Sequence, residues 1–157
     1  MYRVHVKRIA RFALILAACA PIQDAPINPP LDLEGLEGLE GRVVYLDFWA
    51  SWCVPWRRSF PWMESMRHAY ESRGLTIIAV NLDHDRPDAE PFLARFPANF
   101  MVHFDPEGVL AEKYKVSGMP TSVVIDRHGA VRFTHVGFKP SDGDAYEKQL
   151  QQLLDER

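Results

Sequence analysis

The sequence predicts an α/β protein, a three-layer α/β/α sandwich around a central mixed sheet. Three observations predict it. Apolar runs rich in β-branched and aromatic residues recur at Val43–Trp49 and Leu75–Leu82, which suits strands buried on both faces. Between them Phe60, Met63, Met66 and Tyr70 line one helical face, so the strand–helix–strand order calls for a right-handed crossover and parallel pairing. Ser122–Asp126 and Ala130–Val136 then flank Arg127-His128-Gly129 as an antiparallel hairpin, which makes the sheet mixed.

The chain divides unevenly. Residues 1–18 carry Arg3, Lys7, Arg8 and Arg11, no acid, and an apolar stretch at Phe12–Ala18. That is the layout of a secretory leader, too short to span a bilayer as a permanent helix. Residues 19–40 read as a tether: Pro21, Pro26, Pro29 and Pro30 favour extended backbone, and the LEGLEGLEG of Leu33–Gly41 has too many glycines for a stable helix. Residues 41–157 form the folded domain. From Cys19 onward the chain holds 14 basic and 21 acidic side chains. So acidic a surface argues against nucleic acid as a partner.

Within the domain, the first strand hands over to a helix at Ser59–Ser72, which Pro61 is expected to bend and Gly74 to end. Asp83–Pro91 is polar and turn-rich. His84 lies there between Asp83 and Asp85, but ligands so close in sequence point different ways, and no metal site is expected. A short helix at Ala89–Phe96, an extended piece at Phe100–Phe104, a turn at Asp105–Gly108 and a short helix at Val109–Tyr114 follow. Tyr146, Leu150, Leu153 and Leu154 give the closing helix its buried face.

Cys53 sits at the junction of the first strand and its helix, where unpaired N–H groups and the positive end of the helix dipole stabilise a thiolate. The junction reads FWASWCVPWRRSFP. It resembles the signature of the TlpA/ResA-like envelope thiol–disulfide oxidoreductases of the thioredoxin superfamily, F-W-A-x-W-C-x-P-C-R-x-E-x-P. Phe48, Trp49, Ala50, Trp52, Cys53, Pro55, Arg57 and Pro61 match. Trp56 stands at the second cysteine of that signature, and Ser59 at its glutamate.

The resemblance implies a thioredoxin-like fold whose middle portion is the TlpA-type helix and strand insertion. It implies a cis bond before Pro120, with Met119 offering its backbone to an extended substrate segment beside the active cysteine. It also gives Asp47 the place of thioredoxin's buried aspartate. Such a carboxyl is expected either to be raised by desolvation and relay protons to Cys53 through water, or to be satisfied by backbone or lysine hydrogen bonds. Leu16-Ala17-Ala18-Cys19 further resembles the bacterial lipobox, which would make Cys19 a lipidated first residue.

A thiolate attacks a disulfide sulfur and forms a mixed disulfide, which a second cysteine normally resolves. Trp56 carries no nucleophile, so Cys53 reads as a monothiol whose adduct an outside thiol must release. Its pKa is expected to be depressed less than in dithiol relatives. Trp52, Pro55 and Trp56 are expected to form a partly exposed docking surface with Met119 and Pro120. Peroxiredoxin chemistry is disfavoured by Ala50 and Leu46, and copper-chaperone chemistry by Arg57, each at a position those families fill differently. The implied partners are a protein disulfide or thiol, or a low-molecular-weight thiol, in the envelope of a Gram-negative bacterium, facing the periplasm, with no cofactor. A catalytically silent binding module using the groove beside Pro120 is the alternative.

Overall fold

The computed structural model describes residues 38–53 and 56–156. Five strands form one sheet in the order β3-β2-β1-β4-β5. They are β1 (Val43–Trp49), β2 (Leu75–Asn81), β3 (Met101–Phe104), β4 (Thr121–Ile125) and β5 (Val131–Val136). β1 pairs in parallel with β2 and β2 with β3, whereas β4 runs antiparallel to both β1 and β5. All seven residues of β1 are buried, as expected of a central strand covered on both faces.

Alternation along β1 divides the core in two. Val43, Tyr45 and Trp49 point into the larger apolar cluster. There they meet Phe60, Met63 and Met66 of α1 (Trp56–Tyr70), Ala89 and Phe92 of α2 (Arg86–Arg95), and Leu150, Leu153 and Leu154 of α4 (Gly143–Asp155). Val44, Leu46 and Phe48 point the other way, onto Leu110 of α3 (Val109–Lys113) and Tyr114. The three layers and the mixed sheet stand as predicted. Tyr146 is only half-buried on α4 and stacks on His135 instead of entering the core.

Two helix starts differ from the sequence reading. α1 begins at Trp56, not Ser59, and continues through Pro61. α2 begins at Arg86, inside the stretch read as a polar loop, because its first turn needs no N–H from Pro87. After α1 a short 3-10 turn, Glu71–Arg73, closes at Gly74. Gly74 takes φ 101°, and a Cβ there would lie 2.9 Å from the Arg127 guanidinium. The backbone hand favours glycine, and a Cβ would displace the guanidinium.

The Arg127 guanidinium ties this end of the sheet together. It donates to the carbonyls of Gly41 (2.6 Å), Arg73 (3.0 Å) and Leu154 (3.0 Å), which lie in three separate segments. Asp126 beside it accepts from the N–H groups of His128 and Ala130 and from Arg132.

Candidate functional site

The other end of β1 carries Cys53. Past Trp49 the chain leaves the sheet and turns, with Cys53 N–H donating to the Ala50 carbonyl (3.0 Å). The turn is held from β2. Asp83 accepts from Ser51 N–H (3.0 and 3.1 Å) and Ser51 Oγ (3.0 Å), while Asn81 Nδ2 donates to Asp83 (2.8 Å). Leu82 N–H reaches the Trp49 carbonyl (2.7 Å). The sequence reading assigned Asp83 to a loop of solvated charges; it is instead buried and positions the turn before the thiol. Ser51 lies 32 residues away, so no local pattern reveals that contact.

Cys53 is a free thiol, 9 % exposed, at the edge of the larger core cluster. Burial pushes the thiol up, and the Asp47 carboxyl adds to it. That reverses the expected depression. The described helix begins at Trp56, with Trp56 N–H 3.4 Å from the Cys53 carbonyl. At neutral pH the thiol form dominates.

Trp56 is a second correction. It is fully buried, not part of an exposed docking surface. The first turn of α1 rotates its indole inward, 5.0 Å from Trp49 and 4.8 Å from Phe60 by ring centroids. Phe92 of α2 closes the same cluster, 4.9 Å from Trp49. Trp52, by contrast, is 67 % exposed. Arg57 and Arg58 are exposed helix charges. Trp62 packs away from the thiol, against Tyr45 (5.5 Å) and Phe138 (5.6 Å).

Asp47 lies on β1 within the core, 3 % exposed, and its Oδ2 has no hydrogen-bond partner among the described residues. Burial alone pushes its carboxyl well up. The alternative, an aspartate satisfied by backbone or lysine, is not what the structure holds for Oδ2. The indole N–H groups of Trp49 and Trp56 are likewise buried without partners. This end of the core therefore holds three unanswered polar atoms.

The Met119–Pro120 bond is cis. Pro120 is buried and accepts from Gly137 N–H (2.7 Å), while half-buried Met119 packs against the cluster that contains Cys53. Cys53, Asp47, Trp52 and Met119 thus gather at one end of the sheet. Pro55 and Cys19 lie outside the described residues.

This arrangement has relatives. The redoxin family model matches residues 29–153. Among curated proteins, the thiol-disulfide oxidoreductase ResA of Geobacillus thermodenitrificans is 34 % identical over 127 residues, covering 78 % of this chain and 73 % of its own. ResA of Bacillus thuringiensis is 30 % identical over 136 residues, covering 84 % and 75 %. Among solved structures, a DsbE-type thiol:disulfide interchange protein of Chlorobium tepidum superposes with a TM-score of 0.74 at 53 % identity, over 76 % of this chain and 84 % of that one. The exposed lipoprotein thioredoxin Etrx1 of Streptococcus pneumoniae gives 0.67 at 28 % identity, over 79 % and 97 %. With the signature around Cys53 and the five-stranded mixed sheet, these matches place the chain in the redoxin family, among the TlpA/ResA-like thioredoxin-fold thiol-disulfide oxidoreductases.

Proposed function

We propose that this chain is an envelope thiol-disulfide oxidoreductase that works as a monothiol through Cys53. One observation carries the reading: the oxidoreductase frame surrounds a single free thiol, and the residue three positions on is a tryptophan buried in the core. The Cys53 thiolate attacks one sulfur of a partner disulfide. A new S–S bond forms, the partner's bond breaks, and its departing thiolate takes up a proton. An outside thiol then attacks the Cys53 adduct and frees Cys53. Exposed Trp52 and half-buried Met119 are the surface on which a protein partner docks.

The experiment is incubation with a disulfide substrate and separation of adducts without reductant, over about pH 6–9. A single adduct on Cys53 is expected. Because the thiol is pushed up, its formation should rise about tenfold per pH unit through neutrality. No Cys53 adduct anywhere in that range rejects the reading.

A second reading, a binding module without catalysis, draws support from the buried and raised thiol. Cys53→Ser separates the two: partner capture undiminished in that variant favours the binding module.

Localisation belongs to the same proposal. Residues 1–18 would be removed, Cys19 lipidated, and residues 19–40 would tether the domain to a Gram-negative envelope membrane on its periplasmic side. The lipobox-like sequence and the similarity to an exposed lipoprotein support the lipid anchor. Labelled fatty acid should enter the wild-type protein and not Cys19→Ser; equal labelling of both would rule out the anchor.

A further inference from the structure

Almost every arginine of the described residues is engaged. Arg67, Arg73 and Arg132 pair with carboxylates, Arg42 and Arg127 donate to carbonyls, and Arg86 and Arg95 lie over aromatic rings. Arg57 and Arg58 are the exceptions. Both are exposed, and neither side chain has a partner among the described residues. They lie in the first turn of α1, which contains no acid. Two cations there oppose the positive end of the helix dipole, so the fold gains nothing from their charge. Trp56 fixes their place, since it is fully buried and its N–H lies 3.4 Å from the Cys53 carbonyl. The two residues after it therefore face solvent beside the turn that carries the thiol.

We propose that Arg57 and Arg58 select a polypeptide partner whose reactive cysteine is flanked by carboxylates. The proposal rests on the reading of Cys53 as the attacking thiol and names the chemistry of its partner. Guanidinium groups present planar forks that match carboxylates, and two unpaired ones stand ready for an incoming pair. The exposed Trp52 argues for a polypeptide over a small anionic disulfide, because its indole offers apolar contact area as well as a polar edge. The exchange itself is unchanged. The bond between Cys53 and the partner sulfur forms as the partner's own S–S bond breaks, and the departing thiolate takes up a proton.

The surrounding charge gives the preference a direction. From Cys19 onward acidic side chains outnumber basic ones, so an acidic partner is repelled by most of the surface and drawn to this edge. On the β2 side of the turn, buried Asp83 is held on Ser51, and Asp85 and Asp88 beyond it are exposed. The thiol turn thus has a basic flank on α1 and an acidic flank on α2, and the partner's carboxylates belong over α1. Burial and then Asp47 move the Cys53 thiol, and neither arginine is among the causes. Their charge acts on what approaches the sulfur, not on the sulfur.

The test gives the full chain a short peptide whose single cysteine lies between two aspartates, two asparagines or two lysines, activated as its 2-pyridyl disulfide. Release of pyridine-2-thione reports attack by Cys53. At low salt the aspartate peptide should react about fivefold faster than the asparagine peptide, and the lysine peptide slowest. Salt at about 0.5 M should largely remove the difference. Arg57→Gln combined with Arg58→Gln should abolish the preference, while alkylation by uncharged iodoacetamide and the melting temperature stay unchanged. Glutamate at both positions should invert it. A second arm uses the Cys53→Ser protein and the same peptides with serine for cysteine, following the backbone amides of Trp52, Arg57 and Arg58 by NMR. There the aspartate peptide should bind about fivefold more tightly than the asparagine one. That arm needs no reactive thiol, so this proposal and the monothiol reading fail separately. Equal binding of the aspartate and asparagine peptides overturns the proposal, and so does a preference that survives both glutamine substitutions.

Discussion

Asp126 and Asp47 are buried carboxyls at opposite ends of the β1–β4 pair, and their surroundings differ completely. Burial alone would raise Asp126, but N–H groups of Ala130 and His128, together with Arg132, outweigh it and hold the carboxyl below its ordinary range. Around it Arg127 gathers three backbone carbonyls. At the Cys53 end the only resolved effect on Asp47 is burial, and the Trp49 and Trp56 indole N–H groups are also buried without partners among the described residues. One end of the sheet is built for stability. The other keeps polar groups poorly satisfied where the reacting sulfur lies, the pattern expected of a functional site.

Three substitutions sharpen this contrast. Trp56→Ala should have the largest effect, a loss of about 3–5 kcal/mol in urea unfolding, since it empties the aromatic cluster. It should also speed Cys53 alkylation by uncovering the sulfur; an unchanged alkylation rate would mean that Trp56 shields nothing. Arg127→Ala should cost about 2–3 kcal/mol, because charged hydrogen bonds to three carbonyls go at once. Here alkylation of Cys53 should not change, and a change would break the separation of the two ends.

Asp47→Asn should act in the opposite sense. Folded Asp47 keeps a proton that the unfolded chain releases above about pH 3.9. Wild-type stability therefore falls as pH rises from there toward the folded value. Asp47→Asn lacks that fall. It should match the wild type near pH 4 and be more stable at pH 7 by roughly 1–3 kcal/mol. Asp126 gives the reverse sign, since a depressed carboxyl supports the fold at neutral pH and loses that support in acid. Above the folded Asp47 value, where its carboxylate forms and helps hold the thiol up, Asp47→Asn should raise the Cys53 alkylation rate.

The sequence carried the fold well because its signals are local. Buried strands announce themselves as apolar runs, α1 through its spacing, and the Cys53 junction through its neighbours. What it could not carry was register. Asp83 meets Ser51 only because Trp49 pairs with Asn81, and Asp47, Ser122 and His135 stand in register only because β4 pairs with both β1 and β5. Trp56 was misjudged for a related reason. As the first residue of α1 its direction depends on where the helix begins, and a start three residues later would have left it in the loop. The helix end and the missing second cysteine point to a mildly depressed Cys53, and Asp47 is legible as its neighbour, but burial of the sulfur is not, and burial outweighs the rest.

The strand order has a consequence for the chain as it is made. Among the described residues β1 is the first strand synthesised, yet it sits in the middle of the sheet between Leu75–Asn81 and Thr121–Ile125. Until the second of these emerges, one flank of β1 is open and the core over the sulfur cannot close. Through that interval the Cys53 thiol lacks the burial that pushes it up in the finished protein, so more of it is ionised at neutral pH. Newly made chains are thus the form most easily captured by stray oxidants, and completing the sheet is what quiets them.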